Sequence, residues 1–286
     1  MTAAISAIKR RIKLTNEEKY TKLKNYIRTF GRAAVAFSGG TDSALLAYAA
    51  AEALGCDAFA MTLWSPLLAP KDKCDIFEFT ERFNISLIRV PIDETESEDF
   101  VRNCSERCYI CKSARIKAMV RRAEIWNIPW ILDGSNVDDI SDFRPGMRAL
   151  KECKSVISPL LECGLTKKEI REMSAMIGIP TAYKPASACL ASRIPTGVPI
   201  DKPKITSVAV GEEIIRQYLP DTAQVRMRYD GLSARIETDL CHIPVIEQIL
   251  PKITGELKDI GVKNISVDRG GYKMGGVTQR AQKADI

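Results

Sequence analysis

Apolar runs and amphipathic stretches alternate along the first two-thirds of the chain and predict strands and helices in turn. Thr15–Phe30 reads as a helix, because Thr15 and Glu18 make a capping box and Tyr20, Leu23, Tyr26 and Ile27 form an apolar stripe. Ala33–Phe37 is a short continuous apolar run of the kind a buried parallel strand shows. Ala44–Leu54 consists of strong helix formers, with Gly55 where a C-terminal cap belongs. Further strands are predicted at Asp57–Leu63, Ile85–Val90, Pro129–Asp133 and Ser155–Leu161. Helices are predicted over Pro70–Asn84, from Lys112 to about Trp126, and between a second capping box, Thr166 with Glu169, and the breakers Gly178 and Pro180. This alternation implies an α/β fold with a doubly wound parallel sheet.

Two stretches break the rhythm. Pro91–Glu106 is acidic and without period, and is expected to be a solvated surface loop with a short helix. Thr181–Lys204 carries four prolines and little periodicity, and reads as a linker. Beyond it the pattern predicts a smaller unit: a helix Pro203–Tyr218, a hairpin of Ala223–Tyr229 and Leu232–Thr238 joined at Asp230-Gly231, a helix Pro244–Ile260 and a strand Asn264–Asp268. The expected organisation is a first domain over 1–180, a linker over 181–204 that carries Cys189, and a smaller C-terminal α/β domain over 205–286.

The 286 residues and 45% hydrophobic content suit one large or two ordinary domains. A net charge of +6 fits an anionic small substrate and does not by itself point to nucleic acid. No signal peptide or membrane span is legible, so a cytoplasmic protein is expected, and in that compartment the 9 cysteines are not a disulfide framework.

The first chemical signal is Ser38-Gly39-Gly40-Thr41-Asp42-Ser43, placed between a predicted strand and a helix N-terminus. Unpartnered backbone N–H groups and the helix dipole favour an anion there, and the glycines allow close backbone approach to phosphate. The hydroxyls add donors, and Asp42 can hold Mg2+. It is not a Walker A loop, since no Lys follows the glycines. The second signal is Cys104, Cys108 and Cys111, with Cys189 farther on. A Cys-x-x-Cys pair opening a helix can aim two thiolates at one metal, and Lys112 favours their ionised form. A third ligand must come from elsewhere, and spacing alone leaves zinc, a cluster and a reduced thiol pair all open.

The Ser38–Ser43 stretch resembles the PP-loop of the ATP pyrophosphatase superfamily. Arg107-Cys108-Tyr109-Ile110-Cys111-Lys112, Asp133-Gly134-Ser135-Asn136, Arg144-Pro145-Gly146, Cys189-Leu190-Ala191-Ser192-Arg193 and Val225-Arg226-Met227-Arg228 together resemble the LarE sulfur transferases. The resemblance implies an enzyme that adenylates carboxylates of a pyridinium dicarboxylate mononucleotide with ATP, releases pyrophosphate, and replaces the activated oxygen with sulfur. By resemblance, Ser38 to Ser43, Leu63, Gly134 and Asn136 bind ATP with Mg2+. Arg144, Arg193, Glu212, Arg226 and Arg228 bind the substrate, and Asp42 and Cys189 are catalytic. Family members either consume a single cysteine at the Cys189 position or hold a [4Fe-4S] cluster on three. Having Cys108, Cys111 and Cys189, this chain is expected to be of the cluster type, fed by sulfide or another sulfur donor and assembled as a homo-oligomer. The alternatives are tRNA thiolation and sacrificial use of Cys189.

Overall fold

The computed structural model describes residues 14–140, 153–185 and 188–273. The helix α1 (Asn16–Arg28) opens on the expected capping box, with both reciprocal bonds between Thr15 and Glu18 present. Strand β1 (Ala33–Ala36) follows, then helix α2 (Thr41–Leu54), β2 (Ala58–Trp64), α3 (Pro70–Arg82), β3 (Ser86–Pro91) and the one-turn helix α4 (Glu98–Val101). After them come α5 (Arg107–Ile125), β4 (Trp130–Leu132), β5 (Val156–Ile157), α6 (Pro159–Glu162) and α7 (Lys167–Ile177).

The five strands form one parallel sheet in the order β3-β2-β1-β4-β5. Strand β1 is central and rich in alanine, so helices approach closely on either face. Helix α2 is correspondingly buried around most of its circumference, from Ala44 through Ala50. Successive connections run outward to β2 and β3, then cross back to β4. Chain order therefore reverses between β1 and β4, and a crevice opens where their C-terminal ends diverge. In open α/β sheets ligands bind at that place.

The remaining chain forms a second layer: α8 (Lys202–Arg216), β6 (Val225–Tyr229), β7 (Ser233–Thr238), α9 (Ile243–Asp259) and β8 (Asn264–Val267). Strands β6 and β7 are antiparallel through the Asp230-Gly231 turn, where Asp230 Oδ1 accepts from the N–H groups of Leu232 and Ser233. The crossover helix α9 returns β8 parallel to β7. Residues 188–201, read from sequence as linker, contribute Leu190, Ala191, Ile194 and Ile200 to the second core, beside Val208, Ile215 and Met227. Ala186 and Ser187 lie outside the described residues, as does everything beyond Lys273.

Three sequence expectations are corrected. The fifth strand is two residues long, because Pro159 starts a helical turn instead of extending the ladder. The second strand begins at Ala58, after a 3-10 turn over Gly55–Asp57. The acidic stretch before α5 is not simply solvated: Glu94 is only 4% exposed.

Helix α7 keeps the predicted box, in which Thr166 caps the N–H of Glu169 and Glu169 returns a bond to Thr166. Thr166→Ala is expected to cost about 1 kcal/mol in chemical unfolding, without altering the sheet's far-ultraviolet signature.

Candidate active site

The turn after β1 is built to leave backbone donors free. Gly40 caps α2 without any side-chain hydrogen bond, so the first N–H groups of the helix remain available. Gly39 holds φ +72°, and a Cβ there would lie 3.0 Å from Ile76 Cγ1 of α3, so glycine is required twice over. The Ser43 hydroxyl ties the loop to itself, donating to the Gly40 carbonyl (3.1 Å) and accepting from Ser38 N–H (3.3 Å). Thr41 spends its hydroxyl on the Thr181 carbonyl (2.8 Å), which leaves its backbone N–H as what it can offer a phosphate.

The end of β4 closes the crevice from the other side. A Cβ on Gly134 would stand 3.3 Å from the Ser43 nitrogen, so a larger residue there would press on the start of α2. Asn136 donates to Asp42 Oδ1 at 3.4 Å. Ser38, Gly40, Asp42, Ser43, Leu63 and Gly134 share the wall of one cavity of about 360 Å³, and Lys112 and Arg115 of α5 also reach it. Six of the expected nucleotide residues thus surround one space. Gly39, Thr41 and Asn136 stand behind its wall.

Sequence reasoning missed three cations around this space. Lys167 Nζ lies 2.5 Å from Asp42 Oδ2, while its backbone N–H donates to Asp138. The available signal was positional: Lys167 occupies the first turn of α7, where a cation opposes the helix dipole. Lys184 donates to the Gly39 carbonyl and pairs with Asp72 (2.8 Å) and Asp75 (2.6 Å), stapling residues 181–184 to the glycine loop. Arg115 pairs through Nε with the buried Glu94 (2.7 Å).

The three expected thiols share a neighbourhood beside this cavity. Cys108 and Cys111 sit on the first two turns of α5, and Cys111 and the half-buried Cys189 both pack against the second core. Burial pushes the Cys111 thiol up to about 12; the Arg115 charge opposes this, whereas Cys189, Glu94 and Cys108 add to it. Among the described residues no three His, Cys, Asp or Glu side chains are gathered closely enough to hold a single metal ion. The donor set nevertheless suits a thiolate-bound iron–sulfur group. Cys111 feels both Cys189 and Cys108, and Arg107 Nη2 stands 4.0 Å from Cys108 Sγ.

The expected substrate residues fall into two kinds. Arg193 and Glu212, 2% and 3% exposed, are committed to each other through Nε–Oε1 (2.7 Å) and Nη2–Oε2 (3.1 Å), and Glu212 also accepts from Met227 N–H. Arg228 is held by Glu237 and the Ser192 carbonyl. Arg226 is 4% exposed and stacks over Tyr272 at 5.3 Å. Burial first, then the neighbouring Arg193 charge, lower its pKa. Arg226, Arg193 and Glu212 line a second cavity of about 500 Å³, with Lys184, Arg216 and Asp72. Leu68 lines the first cavity and the next residues, Ala69 and Pro70, line this one, so the two adjoin along that segment. Arg144 lies outside the described residues.

Similarity to other proteins accords with this layout. A family model described as NAD synthase matches residues 16–128, the stretch from α1 through the glycine loop to α5. An uncharacterised protein of Synechocystis sp. is 33% identical over 261 residues, covering 91% of this chain and 96% of its own length. The pyridinium-3,5-bisthiocarboxylic acid mononucleotide synthase of Lactiplantibacillus plantarum is 26% identical over 261 residues, covering 91% of this chain and 94% of its own. The chain belongs to the LarE family of PP-loop proteins. A third relative within that range of similarity, an uncharacterised protein of Methanocaldococcus jannaschii, is 28% identical over 267 residues and covers 93% of this chain and 98% of its own length.

Because Arg193 is fully enclosed, Arg193→Met would leave the buried Glu212 carboxylate without its bidentate partner, with only Arg216 at 3.7 Å and the Met227 N–H remaining. A loss of about 3–5 kcal/mol is expected, read by urea unfolding.

Proposed function

We propose that the protein is an ATP-dependent sulfur transferase. It adenylates a carboxylate of a pyridinium-3,5-dicarboxylate mononucleotide and converts it to a thiocarboxylate. The observation that carries this reading is the adjacency of the uncapped glycine loop to the Cys108, Cys111 and Cys189 neighbourhood, with Lys112 and Arg115 between them. The L. plantarum relative's name supplies the product class.

The nucleotide would lie in the crevice with its phosphates on the free N–H groups at the start of α2. Leu63 would border the nucleoside. Asp42, at the head of α2, is the residue to hold Mg2+, which would displace Lys167 from it and release that cation towards the phosphates. The substrate would enter through the larger cavity. There Arg226 is a desolvated cation, and an anion would relieve its burial cost; Arg228 lies on the same strand face. The carboxylate oxygen attacks the α-phosphorus, pyrophosphate leaves, and an acyl adenylate forms. Hydrosulfide then adds to the acyl carbon, AMP departs with the original oxygen, and one proton is released. Excluding water from this step would fall to apolar residues such as Leu190, which is 1% exposed and lines the larger cavity.

Cys108, Cys111 and Cys189 are the residues that would hold a [4Fe-4S] cluster, leaving one iron without a protein ligand. When bound, such a cluster supplies a Lewis-acidic iron that presents sulfur to the activated acyl group. The proposed organisation remains a PP-loop domain over 1–180 and a substrate-binding and oligomerisation domain over 205–286, with Cys189 on the segment between them. The protein is proposed to act as a cytoplasmic homo-oligomer. Among the described residues no helix is long and apolar enough to cross a membrane.

Anaerobic reconstitution with iron and sulfide tests the cluster, and carboxylate-dependent pyrophosphate release tests the adenylation. Wild-type protein is expected to take up roughly four irons per chain, and Cys189→Ala to lose them while still releasing pyrophosphate. Asp42→Asn is expected to slow pyrophosphate release by about 10²–10³-fold with iron content unchanged. A colourless wild-type protein that loses the mass of one sulfur on turnover would mean that Cys189 is consumed.

A further inference from the structure

Arg115 belongs to none of the motifs that mark this chain, yet its setting is that of a placed functional group. It lies one helical turn beyond Cys111 on α5. Its Nε donates to Glu94 Oε1 at 2.7 Å, and Glu94 Oε2 accepts from Ser65 Oγ at 2.5 Å. The Glu94 side chain is 1% exposed, so the heel of the guanidinium is anchored in a dry, hydrogen-bonded socket. A buried pair of this kind is a poor device for stability alone, because desolvation offsets much of the attraction.

The other end of the guanidinium is different. Its terminal nitrogens, Nη1 and Nη2, make no hydrogen bond to any described residue. The side chain is 25% exposed, and Arg115 lines the crevice whose wall includes Ser38, Gly40, Ser43 and Gly134. A planar fork held by its heel, with both prongs open to a cavity, has the geometry that grips two oxygens of one anion. Its charge also acts on both Cys111 and Cys189, so this end of the crevice adjoins the thiols.

We propose that Arg115 is an oxyanion receptor: Nη1 and Nη2 hold a two-oxygen anion, carboxylate or phosphate, at the end of the crevice that adjoins Cys111 and Cys189. This rests on reading the crevice as the nucleotide site. Glu94 and Ser65 act as positioning residues that fix the fork. The anion is either the α-phosphate of the nucleotide or the substrate carboxylate that attacks it. Both carry paired oxygens, and both must be steady while the acyl–phosphate bond forms.

The test compares wild type with Arg115→Met and Arg115→Lys. The lysine variant keeps a cation beside buried Glu94 and so preserves the fold, but it has no fork. Two quantities are read: the dissociation constant of α,β-methylene ATP, and the KM of the dicarboxylated pyridinium mononucleotide for pyrophosphate release. Loss of a bidentate charged contact is expected to weaken one of them by about 10–100-fold. A weakened ATP analogue identifies the phosphate as the anion. A raised KM with unchanged analogue affinity identifies the carboxylate. If both folded variants stay within twofold of wild type on both readings, Arg115 serves only to hold Glu94 and the proposal is overturned. If wild-type protein fails to bind the ATP analogue at all, the nucleotide reading of the crevice falls, and this assignment with it.

Discussion

Arg193 holds the rest of the site together. It directs every nitrogen of its guanidinium inward: Nε and Nη2 to Glu212, Nη1 to the carbonyls of Ala188 (2.5 Å) and Cys189 (3.1 Å) and to the Ser192 hydroxyl. The turn that carries Cys189 is thereby fixed to α8, and through Met227 N–H to β6. A cation 2% exposed is tolerable only because each of its nitrogens is matched. The same contacts decide where the Cys189 sulfur stands relative to α5. Leu190 N–H adds a bond to the Leu67 carbonyl, linking that turn to the segment between the two cavities.

Arg193 and Arg115 make an instructive contrast. Both are paired with a buried glutamate, and both neighbour Cys189 electrostatically. Arg193 is spent on structure, whereas Arg115, among the described residues, is bound at one nitrogen and open at two. The number of satisfied donors, rather than charge or burial, separates a strut from a ligand-binding group. By the same criterion Glu212 is a strut, since Arg193 and the Met227 N–H occupy its carboxylate, although it lines the larger cavity. Arg226 is buried beside a second guanidinium, stacks over Tyr272 and donates from Nη1 to the Val225 carbonyl (2.8 Å), so burial and charge, not open donors, distinguish it.

What the sequence disclosed, and what it concealed, follows the range of the interactions. Both capping boxes, the Asp230-Gly231 turn and the alanine-rich strand before the glycine loop depend on contacts a few residues long, and all were legible. The parallel sense of the sheet follows from strand–helix alternation, whereas its order, β3-β2-β1-β4-β5, is read only from the structure. Lys167 was not legible as a partner of Asp42, since 125 residues separate them and only the folded crevice brings them together. Glu94 was hidden for a related reason. It sits in an acidic run that looks solvated residue by residue, and only the arrival of Ser65 and Arg115 from β2's exit and α5 makes its burial affordable.

The helix ends explain why these distant cations converge. Helix α2 presents uncapped N–H groups, α7 begins with Lys167, and α5 begins with the two cysteines and Lys112. Three helix N-termini therefore face the region beyond the sheet's C-terminal edge, where anionic groups are favoured. The protein pairs the cations of this region internally, Lys167 with Asp42 and Lys112 with Asp133 (3.3 Å). A bound polyphosphate would compete for those lysines, and a divalent cation would compete for Asp42. Because opening the Asp42–Lys167 pair replaces one internal contact with two external ones, nucleotide and metal should bind more tightly together than either does alone.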